Sequence, residues 1–346
     1  MNKNSPTPPR KSGAPTEMVT MTTIGRLAGV SQVTVSRALS NPEKVSPETL
    51  KRIREAIALT GFVPNALAGA LASRKSGLIT ALVPSITNIV YSSLLHGFSE
   101  IMRREGYQIM LSETGFDPAD EEALIFTHLS RRPDGILLTG IHHTPDARRM
   151  LLGMGIPVIE IWDITETPVD CCVGFSHSAT GLAVADFAAE AGYRRAATVS
   201  AGDERAIRRR KAFAERFTAR CGTPVAQIDF AAGPATLERG RQSLRDLIDR
   251  HGFSQGVIFC SSDQHAQGVL VEAQARGLRV PEDIAIIGFG DQDFAAHTSP
   301  ALTTVRVDRD ALGRAAANAL IDRFRGAGDL ANVIDVGFEI VRRASA

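Results

Sequence analysis

Residues 22–39 read TTIGRLAGVSQVTVSRAL, and the reading of this stretch decides how the N-terminal region folds. It divides into two short helices around a tight corner. Thr22 is placed to cap the first helix, which carries Ile24, Leu27 and Ala28 on one side. Gly29 supplies the corner, because glycine takes a positive φ at little cost. Val30 plugs the corner and Ser31 caps the second helix through its hydroxyl. At about 100° per residue, Val35, Ala38 and Leu39 share the inner face of that helix. Val33 and Arg37 point the other way, with Ser36 and Ser40 beside them and Gln32 and Thr34 on the first turn. An outward face of short polar side chains and one arginine suits a major groove, where base edges present donors and acceptors. The pattern is that of a helix-turn-helix.

A third helix follows a loop at Asn41 and Pro42. Ser46 caps it, Pro47 takes the first helical position, and Leu50, Ile53 and Ile57 form its apolar face. Lys51, Arg52 and Arg54 lie on the wetter side, and Gly61 ends it. Charge is distributed to match. Residues 1–76 hold 11 Lys/Arg against 4 Asp/Glu, while the remainder holds 28 against 34, so a net charge of +1 hides a basic head on an acidic body. Such a head favours phosphate neutralisation.

The segments VSQVTVSRAL, VSPETLKRI, GFVPN and ALAGALAS together resemble the headpiece and hinge of the lactose-repressor (LacI) family of bacterial transcription regulators. The resemblance runs from about Thr22 to Val341. It implies DNA contacts from Thr22, Ser31, Gln32, Val33, Thr34, Ser36 and Arg37. It also implies a hinge over residues 65–76 that becomes helical on DNA, with Asn65 contacting the duplex and Leu71 wedging into the central base step. An apolar wedge unstacks that step and bends the duplex. Gly69 disfavours the free helix, in keeping with folding on binding.

Residues 1–18, rich in Pro, Ser, Thr and Asn, form a disordered lead with no apolar run for a signal peptide. The helix-turn-helix domain is assigned to 19–64. No later segment has the length of a membrane span, and four cysteines, two of them adjacent, fit free thiols in a cytoplasmic protein. From Gly77 onward, short β-branched runs such as LITALVP, DGILLTG and DIAIIGFG alternate with amphipathic helices. That alternation predicts parallel sheets covered on both faces, and it is long enough for two. The order resembles the two-lobed, periplasmic-binding-protein-like (type I) α/β core of the same family. The resemblance places an effector-binding and dimerisation domain at 77–346. Lobe one is expected at about 77–175 and 307–333, lobe two at about 176–306 and 334–346, with three crossovers.

Ligands bind such sheets at the C-terminal ends of the strands. Transfer onto matching positions places Ser85, Thr87, Asn88, Asp163, Arg205, Arg209 and Ser262 in the cleft. Gly290 stands where many members have an aspartate, so Asp291 is the candidate substitute. Because Ala206, Phe213 and Phe217 share one side of their helix, most arginines of RAIRRRK are expected on the surface.

Nothing in the chain asks for catalysis. GFGDQD lacks the third glycine and the helix entry of a dinucleotide loop, and neither a P-loop nor a nucleophile elbow is present. His142 and His143 read as solvated loop residues, so no metal or cofactor is expected. SITN, GYQIMLS, HTPDARR, GIPVIE and VGFSH look most like the gluconate-operon repressors of the family. Arginines near a helix N-terminus pair naturally with a carboxylate, which makes a sugar acid the leading effector. A neutral sugar or a sugar phosphate is the alternative. Purines fit less well, since no aromatic pair suggests base stacking. The expected partners are pseudo-palindromic operator DNA, the effector and a second copy of the chain, without membrane. The rival class is a sugar-binding protein whose head docks protein instead of DNA.

Overall fold

A computed structural model describes residues 19–64, 75–326 and 330–346. The lead at 1–18 and the hinge residues Asn65 and Leu71 lie outside the described residues. Two units form, divided between Arg74 and Lys75.

In the first, helices α1 (Met21–Ala28), α2 (Gln32–Ser40) and α3 (Pro47–Thr60) surround a small core of Ile24, Ala28, Val35, Ala38, Ile53, Ala56 and Phe62. Gly29 closes α1 at φ 65°, and Ser31 and Ser46 cap α2 and α3 by accepting from the Thr34 and Thr49 amides. The first cap is Thr20, not Thr22: Thr20 and Thr23 form a reciprocal capping box. Thr22 therefore sits inside the first turn, and its hydroxyl donates to Gln32 Oε1 at 3.1 Å. Leu27 and Leu39 were expected inside but are 47% and 39% exposed. Both stand at the margin of their apolar stripes.

In the second unit, β1 (Leu78–Val83), β2 (Gln108–Glu113), β3 (Gly135–Thr139), β4 (Val158–Ile161), β5 (Cys171–Gly174) and β11 (Val333–Asp335) make a parallel sheet ordered β11-β5-β4-β3-β1-β2. The other sheet is ordered β12-β10-β9-β8-β6-β7, from β6 (Ala196–Ser200), β7 (Ala226–Asp229), β8 (Gly256–Cys260), β9 (Ile284–Phe289), β10 (Thr303–Arg306) and β12 (Glu339–Val341). Only the β10–β12 pair is antiparallel. Strands β8 and β9 are buried along their whole length, as the unbroken apolar runs of a doubly covered sheet require. The helices between strands are α4 (Ile89–Arg104), α5 (Pro118–Leu129), α6 (Pro145–Met154), α7 (His177–Glu190), α8 (Glu204–Cys221), α9 (Leu237–His251), α10 (Asp263–Ala275) and α11 (Arg309–Arg325). The chain passes between the sheets after β5, after β10 and after β11.

The four cysteines are free. Cys171 and Cys172 are buried neighbours in β5, and burial pushes the Cys171 thiol up to about 11. Among the described residues no helix is long and apolar enough to cross a membrane, and no cluster of His, Cys, Asp or Glu could hold a metal ion.

Candidate functional site

Three helices begin around one cavity of about 200 Å³ in the second unit, and their capping residues line it. Asn88 caps α4, Asp203 caps α8 and Ser262 caps α10, each accepting from an amide of the first turn. The positive ends of three helix dipoles therefore meet there. Ser85 and Thr87 precede α4 and bond each other at 3.0 Å. Ser261, Gln264 and Gln292 add polar groups, while Tyr91, Phe116, Trp162 and Phe289 supply the apolar wall.

Two guanidinium groups project from α8 into this wall. Arg205 donates to the Tyr91 hydroxyl at 3.3 Å and lies 3.7 Å from Asp203. Arg209 is 5% exposed. Its Nη1 faces His177 Nδ1 at 2.8 Å, its Nη2 donates to the Ser261 carbonyl at 3.2 Å, and its plane lies 3.8 Å over the Phe289 ring. Burial pulls the Arg209 guanidinium down to about 10, so it stays cationic at neutral pH. Arg205 Nη1 and Arg209 Nε are buried without a hydrogen-bond partner. Asp203 is the only carboxylate among the lining residues, leaving the wall with one excess positive charge.

Of the residues proposed from sequence, Ser85, Thr87, Asn88, Arg205, Arg209 and Ser262 come together on this cavity. Asp163 and Asp291 do not line it. Asp163 is buried in an ion pair with Arg208 and borders the adjoining cavity, which shares Phe116, Asp203 and Arg205 with the first. Asp291 adopts φ 45° and turns to Arg343, 2.7 Å away, beside another cavity near the β10–α11 crossing. Gln292, the next residue, lines both that cavity and the first one. The expectation of a solvated arginine run is also corrected. Arg208 reaches Asp163, and Arg210 reaches Gln227 and Asp229, because α8 packs closely on its neighbours. His143 is equally far from a loop's solvent: it is buried between Glu121 at 3.1 Å and Glu160 at 3.2 Å. His142 does stay half exposed, beside Glu204 at 2.8 Å.

The sequence reading placed Trp162 at the strand end where the cleft opens but missed the rest of the aromatic wall and His177. Tyr91, Phe116 and Phe289 lie in three separate segments, so no local spacing announces that they meet. Phe289 already has its face covered by Arg209, and Trp162 is engaged edge-on by Tyr91 and Phe175.

In the first unit, Gln32, Val33, Ser36 and Arg37 form an exposed face on α2, with Val33 66% exposed. Ser31 and Thr34 bond each other at 2.9 Å at its start. The face combines an amide, a hydroxyl, a methyl-bearing side chain and a guanidinium, the groups that read base edges.

Residues 20–65 match the pattern of bacterial regulatory proteins of the lacI family, and residues 185–346 match a periplasmic binding protein-like domain. The HTH-type transcriptional regulator GntR of Pseudomonas aeruginosa is 35% identical over 97% of this chain and 97% of its own. A LacI-family transcriptional regulator from Silicibacter pomeroyi superposes with a TM-score of 0.88 at 31% identity, covering 94% of this chain and 99% of that one. The lac repressor dimer bound to operator and the anti-inducer ONPF shares the fold, with a TM-score of 0.80 at 22% identity over 95% and 99% of the two chains. With such identity over almost the whole length, and both parts of the architecture matched, this chain belongs to the lacI family of bacterial regulatory proteins, DNA-binding transcriptional repressors rather than enzymes.

Proposed function

We propose that this repressor binds a small sugar acid, gluconate or a close relative, in the cavity between its two sheets, and that this ligand controls its hold on operator DNA. The observation that carries the reading is the pair of buried cations, Arg205 and Arg209, each keeping one nitrogen without a partner (Nη1 of Arg205, Nε of Arg209), beside three helix N-termini. A carboxylate gives those cations the counter-charge they lack. One excess positive charge on the wall suits a monoanion better than a phosphate dianion. Ser85, Thr87, Asn88, Ser262 and Gln292 supply donors and acceptors for sugar hydroxyls. Asp163, paired with Arg208, stays outside this cavity and borders the adjoining one. The relationship to GntR points the same way.

On the DNA side, Gln32, Val33, Ser36 and Arg37 contact base edges, while Thr22, Ser31 and Thr34 secure the helix that carries them. Two heads on a pseudo-palindromic operator require a two-fold dimer. Leu71 takes the wedge role in the hinge.

The test is a thermal-shift screen of the full chain with gluconate, neutral hexoses and phosphorylated sugar acids. Gluconate raises the melting temperature and saturably changes the fluorescence of Trp162, the only tryptophan, which lines the cavity. A response to neutral sugars alone replaces the carboxylate by a neutral ligand.

A further inference from the structure

His177 has no exposed surface and does not line the ligand cavity, yet it touches the most important residue in it. We infer that His177 is a positioning residue: by bonding Arg209 on one side and the Trp162 carbonyl on the other, it fixes the guanidinium in the pose that receives the effector's carboxylate. The inference rests on the reading of Arg209 as the carboxylate's anchor.

The neighbours of the ring dictate its protonation. An arginine can only donate, so Nδ1, 2.8 Å from Arg209 Nη1, must be bare. A carbonyl can only accept, so Nε2, 2.9 Å from the Trp162 oxygen, must carry the proton. The ring is therefore a neutral imidazole of one tautomer. A second proton would set donor against donor at Nδ1. The charged groups that act on the ring are Arg209, Arg205 and Arg208, all cations on α8, and they join burial in holding its pKa well below the ordinary value.

The backbone is built to bring these groups together. Gly181 stands one turn after His177 on the same face of α7. A Cβ at Gly181 would run into the Arg209 carbonyl, so this glycine lets α7 and α8 approach closely where the side chains meet. Phe175 packs against the His177 ring with centroids 4.5 Å apart. Trp162 takes φ 70°, a left-handed conformation costly for a bulky residue. Its carbonyl is the group His177 holds. Arg209 is thus gripped at Nη1 by His177, at Nη2 by Ser261 and across its plane by Phe289, with Nε left over. Removing the imidazole frees one corner of the guanidinium and leaves Nη1 without its acceptor.

Two amide side chains separate the two bonds. His177→Asn places an oxygen near the position of Nδ1 and can still accept from Arg209, but it does not reach Trp162. His177→Gln reaches Trp162 with its NH₂ and offers Arg209 nothing at Nδ1. In calorimetric titrations of the full chain with gluconate, His177→Ala and His177→Gln weaken binding about tenfold or more, and His177→Asn recovers most of that loss. Equal affinities for Asn and Gln, whether both intact or both impaired, overturn the assignment. Imidazole ¹⁵N NMR of the wild-type chain tests the relay without a ligand. It expects a bare Nδ1 and a protonated Nε2 that persist to about pH 5.5, where a free histidine is mostly charged. An imidazolium at that pH, or the opposite tautomer, rejects the relay. If the wild type ignores gluconate, the sugar-acid reading falls, and the NMR result alone decides the role of His177.

Discussion

The two helices proposed for recognition, α2 and α8, are built in opposite senses. On α2 the recognition residues face outward, and Val33, Ser36 and Arg37 are exposed. On α8 the arginines are drawn inward and paired, Arg205 with Tyr91, Arg208 with Asp163 and Arg209 with His177. The outward helix meets a large polyanion that brings its own counter-charge, so its side chains need no internal support. The inward helix meets a small ligand in a confined cavity, where the pose of each cation must be fixed before binding. A single substitution should therefore cost more on α8 than on α2.

Arg209→Ala gives the largest expected effect. Removing one partner of a buried charge pair costs about 2–5 kcal/mol of ligand affinity. Calorimetry with gluconate should show binding nearly abolished, and the Trp162 fluorescence response lost with it. Survival of that response at unchanged affinity would remove the carboxylate from Arg209. On the outward helix, Arg37→Ala should cost operator affinity by about 1–3 kcal/mol, with much less loss on random DNA. Equal losses on both would reduce Arg37 to a phosphate contact and erase the contrast in specificity.

The same contrast explains what could be read from sequence. The headpiece was legible because its corner, caps and outward face are all local: Gly29, Ser31, Ser46 and the spacing of Val33 and Arg37 lie within one short stretch. The parallel sheets were legible because inner strands such as β8 and β9 are continuous apolar runs. In the cleft, residues at the ends of strands and the starts of helices could be placed, since Ser85, Asn88 and Ser262 occupy positions set by the topology. What failed was pairing across the fold. Asp163 could not be seen to be held by Arg208, nor His177 by Arg209, because each pair joins segments more than thirty residues apart. Asp291 failed for a related reason. Its φ of 45° turns the side chain toward Arg343, a partner from the end of the chain.

A smaller effect separates buried from exposed charge by pH. His143 sits between Glu121 and Glu160; burial opposes its charge, but the two carboxylates outweigh it and raise its pKa from 6.5 to about 9. A histidine whose pKa rises on folding stabilises the fold fully below its unfolded value, and that contribution is lost as pH climbs through the folded one. The wild-type core should lose melting temperature between pH 6.5 and about 9 relative to His143→Gln, by roughly 2–4 °C or more. Parallel pH profiles for the two proteins would show that His143 is not charged in the fold.

The smallest effect tests whether the outward helix is wholly without internal support. Thr22 is the exception, since its hydroxyl donates to Gln32 Oε1 at 3.1 Å. With its carbonyl engaged, the Gln32 amide presents its NH₂ and acts as a donor, suited to the acceptors O6 and N7 of guanine or O4 of thymine. The paired donor–acceptor grip on adenine must then use the second lone pair of an oxygen already held by Thr22, which disfavours it. Thr22→Val keeps the shape but removes the hydroxyl, and the amide becomes free to turn. Because the contact is exposed, the expected loss of operator affinity is at most about 1 kcal/mol. The informative change is in selectivity. A panel of operators varied at the base pair facing Gln32 should show wild-type preference for an acceptor edge, and Thr22→Val should admit adenine more readily. If the variant keeps the wild-type ranking, Gln32 is oriented by the DNA itself, and α2 has no prearranged side chain to set against the gripped arginines of α8.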